Sequence, residues 1–210
     1  EIFKYIDEHV NEHVARVQEL VRQPSISPEG RGVRDCAQLV RRYLSDLGCA
    51  NARLVETSGN PVVYARYDSR AARTILVYLM YDTMPFDEPG WIVDPLDGSL
   101  VDMEPFGKCL VGRGAINTKG ELRAFLNACE SIRATGAELP VNLIFVAEGE
   151  EELGSRHLPE FLAAYASELK DADLVFFPGA DQDVKGKVIM ALGVKGIVYF
   201  ELELDGVEWG

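Results

Sequence analysis

Residues 141–152 read Val141-Asn142-Leu143-Ile144-Phe145-Val146-Ala147-Glu148-Gly149-Glu150-Glu151-Glu152. The apolar run Leu143 to Ala147 has strand length and no polar alternation, so it belongs to a strand covered on both faces, as in parallel sheets. Helical patterns flank it, from Lys119 to about Thr135 before it and from about Arg156 to Leu169 after it, and a further strand, Asp173 to Phe177, follows. Upstream, the β-branched and aromatic runs Val62 to Tyr67 and Thr74 to Tyr81 read as two more strands. Ile2, Ile6, Val10, Val14, Val17 and Val21 recur at helical spacing and stop at Gln23-Pro24, and a second helix runs from Val33 to Leu47 with Gly48 beyond its end. Strands alternating with helices define an α/β fold: three layers, a mostly parallel sheet with helices on both faces. The passage from Asp82 to Gly120 is rich in Gly, Pro and Asp and shows no periodicity; connections of that length are usually functional. The alternation Ile197 to Leu204 predicts a half-buried strand that opens a new element, after which the chain stops at Val207-Glu208-Trp209-Gly210 as though cut.

The chain has 210 residues, 47% hydrophobic and 26% charged, with a formal net charge of −13. Such acidity disfavours nucleic acid and anionic membranes as partners, and no apolar stretch approaches the roughly 18 residues of a membrane span. Cys36, Cys49, Cys109 and Cys129 form no CxxC pair, which reads as free thiols in a reducing, cytoplasmic setting.

In open α/β sheets, sites form outside the carboxyl ends of the strands. Three loops qualify: Met80-Tyr81-Asp82-Thr83, Gly112 to Gly120, and Glu148 to Glu152. Three adjacent glutamates often form only a solvated first helical turn. At the end of a buried strand, however, one acid is placed to ligate a cation while its neighbour takes a proton from water. The glycine stretch matches neither phosphate-binding pattern, so its glycines are read as allowing a tight path, with Asn117 or Thr118 capping the next helix. His9 and His13 fit HxxEH, the inverted-zinc-protease pattern, but they lie on an opening helix with no third ligand in view and are read as surface or partly packed histidines.

Taken in order, these pieces resemble the co-catalytic zinc peptidase superfamily of carboxypeptidase G, aminoacylase, acetylornithine deacetylase, succinyl-diaminopimelate desuccinylase and carnosine dipeptidase. The resemblance runs through Gln23 to Ser27, Met80 to Pro85, Trp91 with Asp94-Pro95, Gly112 to Gly120, Glu148 to Ser155 and Leu192 to Gly196. It implies a catalytic domain over residues 1–194 and, over 195–210, the first strand of a truncated ferredoxin-like lid domain through which the protein forms homo-oligomers.

Residue by residue, the resemblance implies Glu151 as general base and Glu152 as metal ligand. Asn117 stands where the family has its metal-bridging Asp, and Met80 where it has the His of His-x-Asp, leaving Asp82 as the orienting acid. A further carboxylate falls on Gly179, with Asp181 near enough to replace it, and a distal His is expected outside these residues. The expectation is one weakly held divalent ion (Mn, Zn or Co) on Asn117 and Glu152, in a hydrolase of a C–N bond in a small molecule. That bond is an amide or peptide, or an aryl amine as in atypical relatives such as nitroanthranilate aminohydrolase. The alternative is a catalytically inactive scaffold, because three ligand positions are altered.

Overall fold

The computed structural model describes residues 1–179, 181, 182, 185, 187–193, 196, 198–204 and 206. It contains two compact units, Glu1–Ala180 and Asp181–Gly210.

The first unit opens on α1 (Ile2–Glu8) and α2 (Val10–Arg22), not on one helix. The break is at His9, whose ring stacks on Tyr5 at 3.9 Å. The expected buried stripe is realised only in the last turn, at Leu20 and Val21, whereas Val10 is 51% exposed. Helix α3 (Val33–Asp46) starts after Gly32 at φ 70, where a Cβ would meet the Pro24 carbonyl oxygen, and Gly48 follows it at φ 96. Strand β1 (Ala50–Val55) has no β-branched run to announce it. Next come β2 (Val62–Tyr67) and β3 (Thr74–Met80). The passage that lacks periodicity contains a hairpin, β4 (Ser99–Met103) with β5 (Gly107–Val111). Its strands are half exposed and short of β-formers, which hid them. The unit finishes with α4 (Lys119–Ala134), β6 (Asn142–Glu148), α5 (Leu158–Leu169) and β7 (Leu174–Phe176).

The sheet order is β1-β2-β6-β3-β7. Strands β6, β3 and β7 are mutually parallel, β2 is antiparallel to β6, and β1 is antiparallel to β2. Four strands therefore share one direction and β2 opposes them. Side chains alternate across the sheet as the pleat requires. Val63, Ala65, Val77, Leu79, Phe145 and Ala147 face α3 and α4, through Val40, Leu44, Leu122 and Leu126. Val62, Tyr64, Ile144 and Val146 face α5 through Phe161. These are the three layers that the strand and helix alternation predicts.

In the second unit, β8 (Asp181–Gln182) pairs with β9 (Val188–Ile189). Val194, Lys195 and Ile197, around the expected start of the lid strand, lie outside the described residues. Residues 198–204 form no strand, and Tyr199 and Leu204 are each 90% exposed. An alternating strand needs a neighbour for its backbone and a surface for its apolar face, and the described residues of this unit offer neither.

Candidate active site

The register of the sheet assembles the site. Met80 pairs with Glu148 across β3 and β6, so the chains leaving these strands emerge side by side, joined by the Tyr81 N–H to the Glu148 carbonyl at 2.9 Å. Gly149 is required at this crossing, because a Cβ there would stand 2.5 Å from the Tyr81 ring. Ser25, Ile26 and Ser27 lie along the β3 exit: Thr83 N–H donates to Ser25 O (2.9 Å) and Ser27 N–H to Thr83 O (3.2 Å).

Asp82 is fully buried and joins three segments. Ser27 Oγ donates to its Oδ2 at 2.7 Å, and the Glu151 and Glu152 amides donate to Oδ1 and Oδ2 at 3.2 Å each. Burial pushes its carboxyl above the usual carboxylate range, against the pull of those donors. Its oxygens are taken up by one hydroxyl and two backbone amides, which ties the β3 exit to the acidic turn.

The acidic residues form a 3₁₀ turn, Glu151–Leu153, closed by Gly154 at φ 81. Asn117 Nδ2 lies 3.1 Å from Glu152 Oε1, so the glycine loop and the acidic turn meet at these two side chains. Among the described residues the Glu151 side chain has no hydrogen-bond partner; burial, then the charges of Glu152, Asp82 and Glu148, raise its carboxyl. Glu152 is raised by burial and by Asp82, while Asn117 and Arg113 pull it back. Glu148, 2% exposed, takes the Tyr78 hydroxyl (2.5 Å) and the Ser155 hydroxyl (2.8 Å) on Oε1, and its Oε2 has no partner among the described residues. Burial raises it too.

Burial is the largest cause of the rise in all four carboxyls. Among the described residues no three of His, Cys, Asp and Glu stand close enough to hold a metal ion, and Asn117 meets Glu152 by donating its side-chain N–H, so the described residues supply at most part of a metal shell. Met80, at the family's His position, is 4% exposed within the sheet. Gly179 carries no ligand, and the side chain of Asp181 lies outside the described residues.

The glycine loop follows the expected tight path by other means. Gly114 has φ 79, and a Cβ on Gly120 would strike the Ala115 carbonyl. Thr118 occupies the cap position of α4, yet its hydroxyl has no partner among the described residues; the Gly114 carbonyl takes the Lys119 and Gly120 N–H groups instead. The capping role expected of Asn117 or Thr118 is therefore performed by backbone. His9 and His13 lie apart from this region, His9 Nδ1 2.8 Å from Tyr5 O and His13 Nε2 3.4 Å from Ser131 Oγ.

Sequence reasoning missed Ser27, Tyr78 and Ser155 as carboxylate donors, and the contact of Glu150 with His157. None of these carries a spacing signal, since their partners lie in other elements.

The strand-end carboxylates thus lie on a three-layer α/β sheet beside a glycine loop, the arrangement the sequence resemblance implies. The model of peptidase family M20/M25/M40 matches residues 77–200, and the chain belongs to that family. The Cys-Gly metallodipeptidase dug1 of Schizosaccharomyces pombe is 28% identical over 98% of this chain and 45% of its own length. The Beta-Ala-His dipeptidase of Homo sapiens is 31% identical over 97% of this chain and 43% of its own. An M20 family metallo-carboxypeptidase from Sulfolobus solfataricus superposes with a TM-score of 0.74 at 35% identity, covering 84% of this chain and 39% of that one. Human carnosine dipeptidase 1 does so with 0.74 at 29%, covering 84% and 40%. The chain thus spans less than half the length of these relatives. No helix among the described residues is long and apolar enough to cross a membrane.

Proposed function

We propose that this chain carries the proton-transfer part and one half of the metal site of a hydrolase that cleaves a C–N bond in a small molecule. The observation that supports it is the hydrogen bond from the Asn117 side-chain N–H to Glu152 beside a Glu151 carboxylate that has no hydrogen-bond partner among the described residues. Asn117 and Glu152 would hold a single divalent ion (Mn, Zn or Co), loosely, because a neutral amide oxygen replaces a carboxylate. When bound, such an ion supplies Lewis acidity and positive charge at the carbonyl under attack. Glu151 takes the proton of the attacking water and returns it to the departing nitrogen. Its raised pKa lies nearer the working pH than that of an ordinary glutamate, and that suits a group which must both accept and give a proton. Asp82, through the Glu151 and Glu152 amides, keeps the base and the ligand in register.

A peptide bond is the preferred substrate bond over an aryl amine, since the relatives bear the names of dipeptidases. A cytoplasmic setting and assembly through a lid domain beginning near residue 195 complete the reading. The test is turnover of small dipeptides by the full-length protein with added Mn2+. Glu151→Gln is expected to lose turnover by at least about a thousandfold while binding Mn2+ as before; undiminished turnover would take Glu151 out of the role. The second reading, an inactive scaffold, draws on Met80, a buried thioether at the His position. Absence of bound Mn2+ and of turnover in the full-length protein would establish it.

A further inference from the structure

Glu150 is the acid of the run that the proposed chemistry leaves unused, and it is not solvated. It is 7% exposed, and both of its oxygens are engaged. Oε1 accepts the Asn60 N–H at 2.9 Å; Oε2 accepts the His157 N–H at 3.3 Å and lies 2.7 Å from His157 Nδ1. Asn60 belongs to the loop between β1 and β2, and His157 is the residue that opens α5. One carboxylate therefore bridges the segments on either side of the acidic turn. The bridge is reinforced by Asn60 Nδ2 donating to the Gly149 carbonyl at 2.9 Å and the Ser58 N–H to Glu160 Oε2 at 2.8 Å. The Ser155 and Leu153 N–H groups return to the Glu150 carbonyl at 2.8 and 3.0 Å. Gly59 lies so close that a Cβ on it would run into the Glu150 carboxylate and the His157 ring.

We infer that Glu150 is a positioning residue: with Asn60 and His157 it clamps the acidic turn by contacts separate from those of Asp82, and so fixes where the Glu151 and Glu152 carboxylates stand. Asp82 holds the turn by the amides of residues 151 and 152, and Glu150 holds it by its own side chain one residue earlier. Three consecutive residues are thus pinned by two carboxylates. A short turn carrying adjacent acids that repel one another needs this, because a turn free to rotate by one residue would exchange the acids' places. The inference rests on the assignment of Glu151 as base, but its geometric part can be read without activity.

The experiment uses the full-length protein. Amide hydrogen exchange at Glu151 and Glu152 is measured in the wild type, Glu150→Ala, Glu150→Gln and His157→Ala, with dipeptide turnover alongside. Glu150→Ala is expected to speed exchange at both amides by at least about tenfold and to lower kcat by roughly 10–100-fold with KM within about twofold, the signature of a misplaced group and not of lost substrate binding. Glu150→Gln, which keeps an acceptor for Asn60, recovers most of both. His157→Ala, which removes only the ring contact, falls between them and serves where Glu150→Ala does not unfold cooperatively. Wild-type exchange at both amides in Glu150→Ala and His157→Ala overturns the clamp. Faster exchange with no turnover in any form, the wild type included, supports the clamp and rejects the hydrolase reading instead.

Discussion

Asp82 is buried with three donors aimed at it, and two of them are main-chain amides with no other acceptor among the described residues. Deleting the carboxylate leaves those part-buried donors without it, at a cost of about 1–3 kcal/mol for an unsatisfied group. Asp82→Ala is therefore expected to lose about 2–4 kcal/mol in urea unfolding, and Asp82→Asn less, since the amide oxygen still accepts. In the proposed ion site, Asn117 is the residue that stands where the family resemblance places a carboxylate. Asn117→Asp adds a negative charge beside Glu152, so it is expected to tighten Mn2+ binding by at least about tenfold in calorimetry, because charge count sets the affinity of hard cations. The same change lowers the melting temperature of the metal-free protein by like-charge repulsion. That the glycine loop and the acidic turn would lie together was legible in the sequence, because both are polar loops beside strand ends; the structure brings Asn117 to Glu152. The use Asp82 makes of backbone amides was not, since amides leave no trace in residue identity.

At the scale of elements, the meeting of β3 and β6 decides the geometry, and Gly149 tests it. Gly149→Ala places a methyl 2.5 Å from the Tyr81 ring; the exit of β6 or that ring must shift. Overpacking of this kind costs about 1–3 kcal/mol, and equilibrium unfolding with dipeptide turnover is expected to report lower stability and lower kcat together. Helices α3 and α4 make a different prediction through their thiols. Burial pushes Cys49 and Cys129 up to about 12 each and raises Cys36 as well. At pH 8 almost none of these thiols is ionised, so a disulfide reagent is expected to label the half-buried Cys109 first and the other three only on unfolding. Strands β2, β3 and β6 and helices α3, α4 and α5 follow their sequence patterns to within about two residues, because burial on one or both faces imposes the period. The hairpin β4 to β5 and strand β1 escaped notice for the opposite reason: half exposed, they are held by register with a partner strand and not by a pattern of their own.

Across the whole molecule, Asp82, Glu148, Glu151 and Glu152 have their pKa values raised together, with burial the largest cause for each. A carboxyl raised in the folded state destabilises the fold at pH values above its folded pKa. The penalty is relieved as the pH falls through that value and is gone below the unfolded one. Glu151→Gln is accordingly expected to melt higher than the wild type at pH 8, with the gap closing as the pH approaches the ordinary glutamate value, as read by calorimetry without added metal. Mn2+ is expected to raise the wild-type melting temperature at pH 8, by mass action on the folded state, and to do so less at acidic pH.

The buried strands β2, β3 and β6, the helices α3, α4 and α5 and the layered α/β class were determined by the sequence itself, because hydrophobic period and residue type are local properties that survive without a partner. Which acids are engaged by hydrogen bonds from other segments and which are not was decided only by the tertiary structure. Glu150, Glu151 and Glu152 are chemically alike and adjacent. Only the amides, imidazole and carboxylates brought in from β3, from the loop before β2 and from the start of α5 distinguish them, since hydrogen bonds between distant segments exist only once the chain has folded.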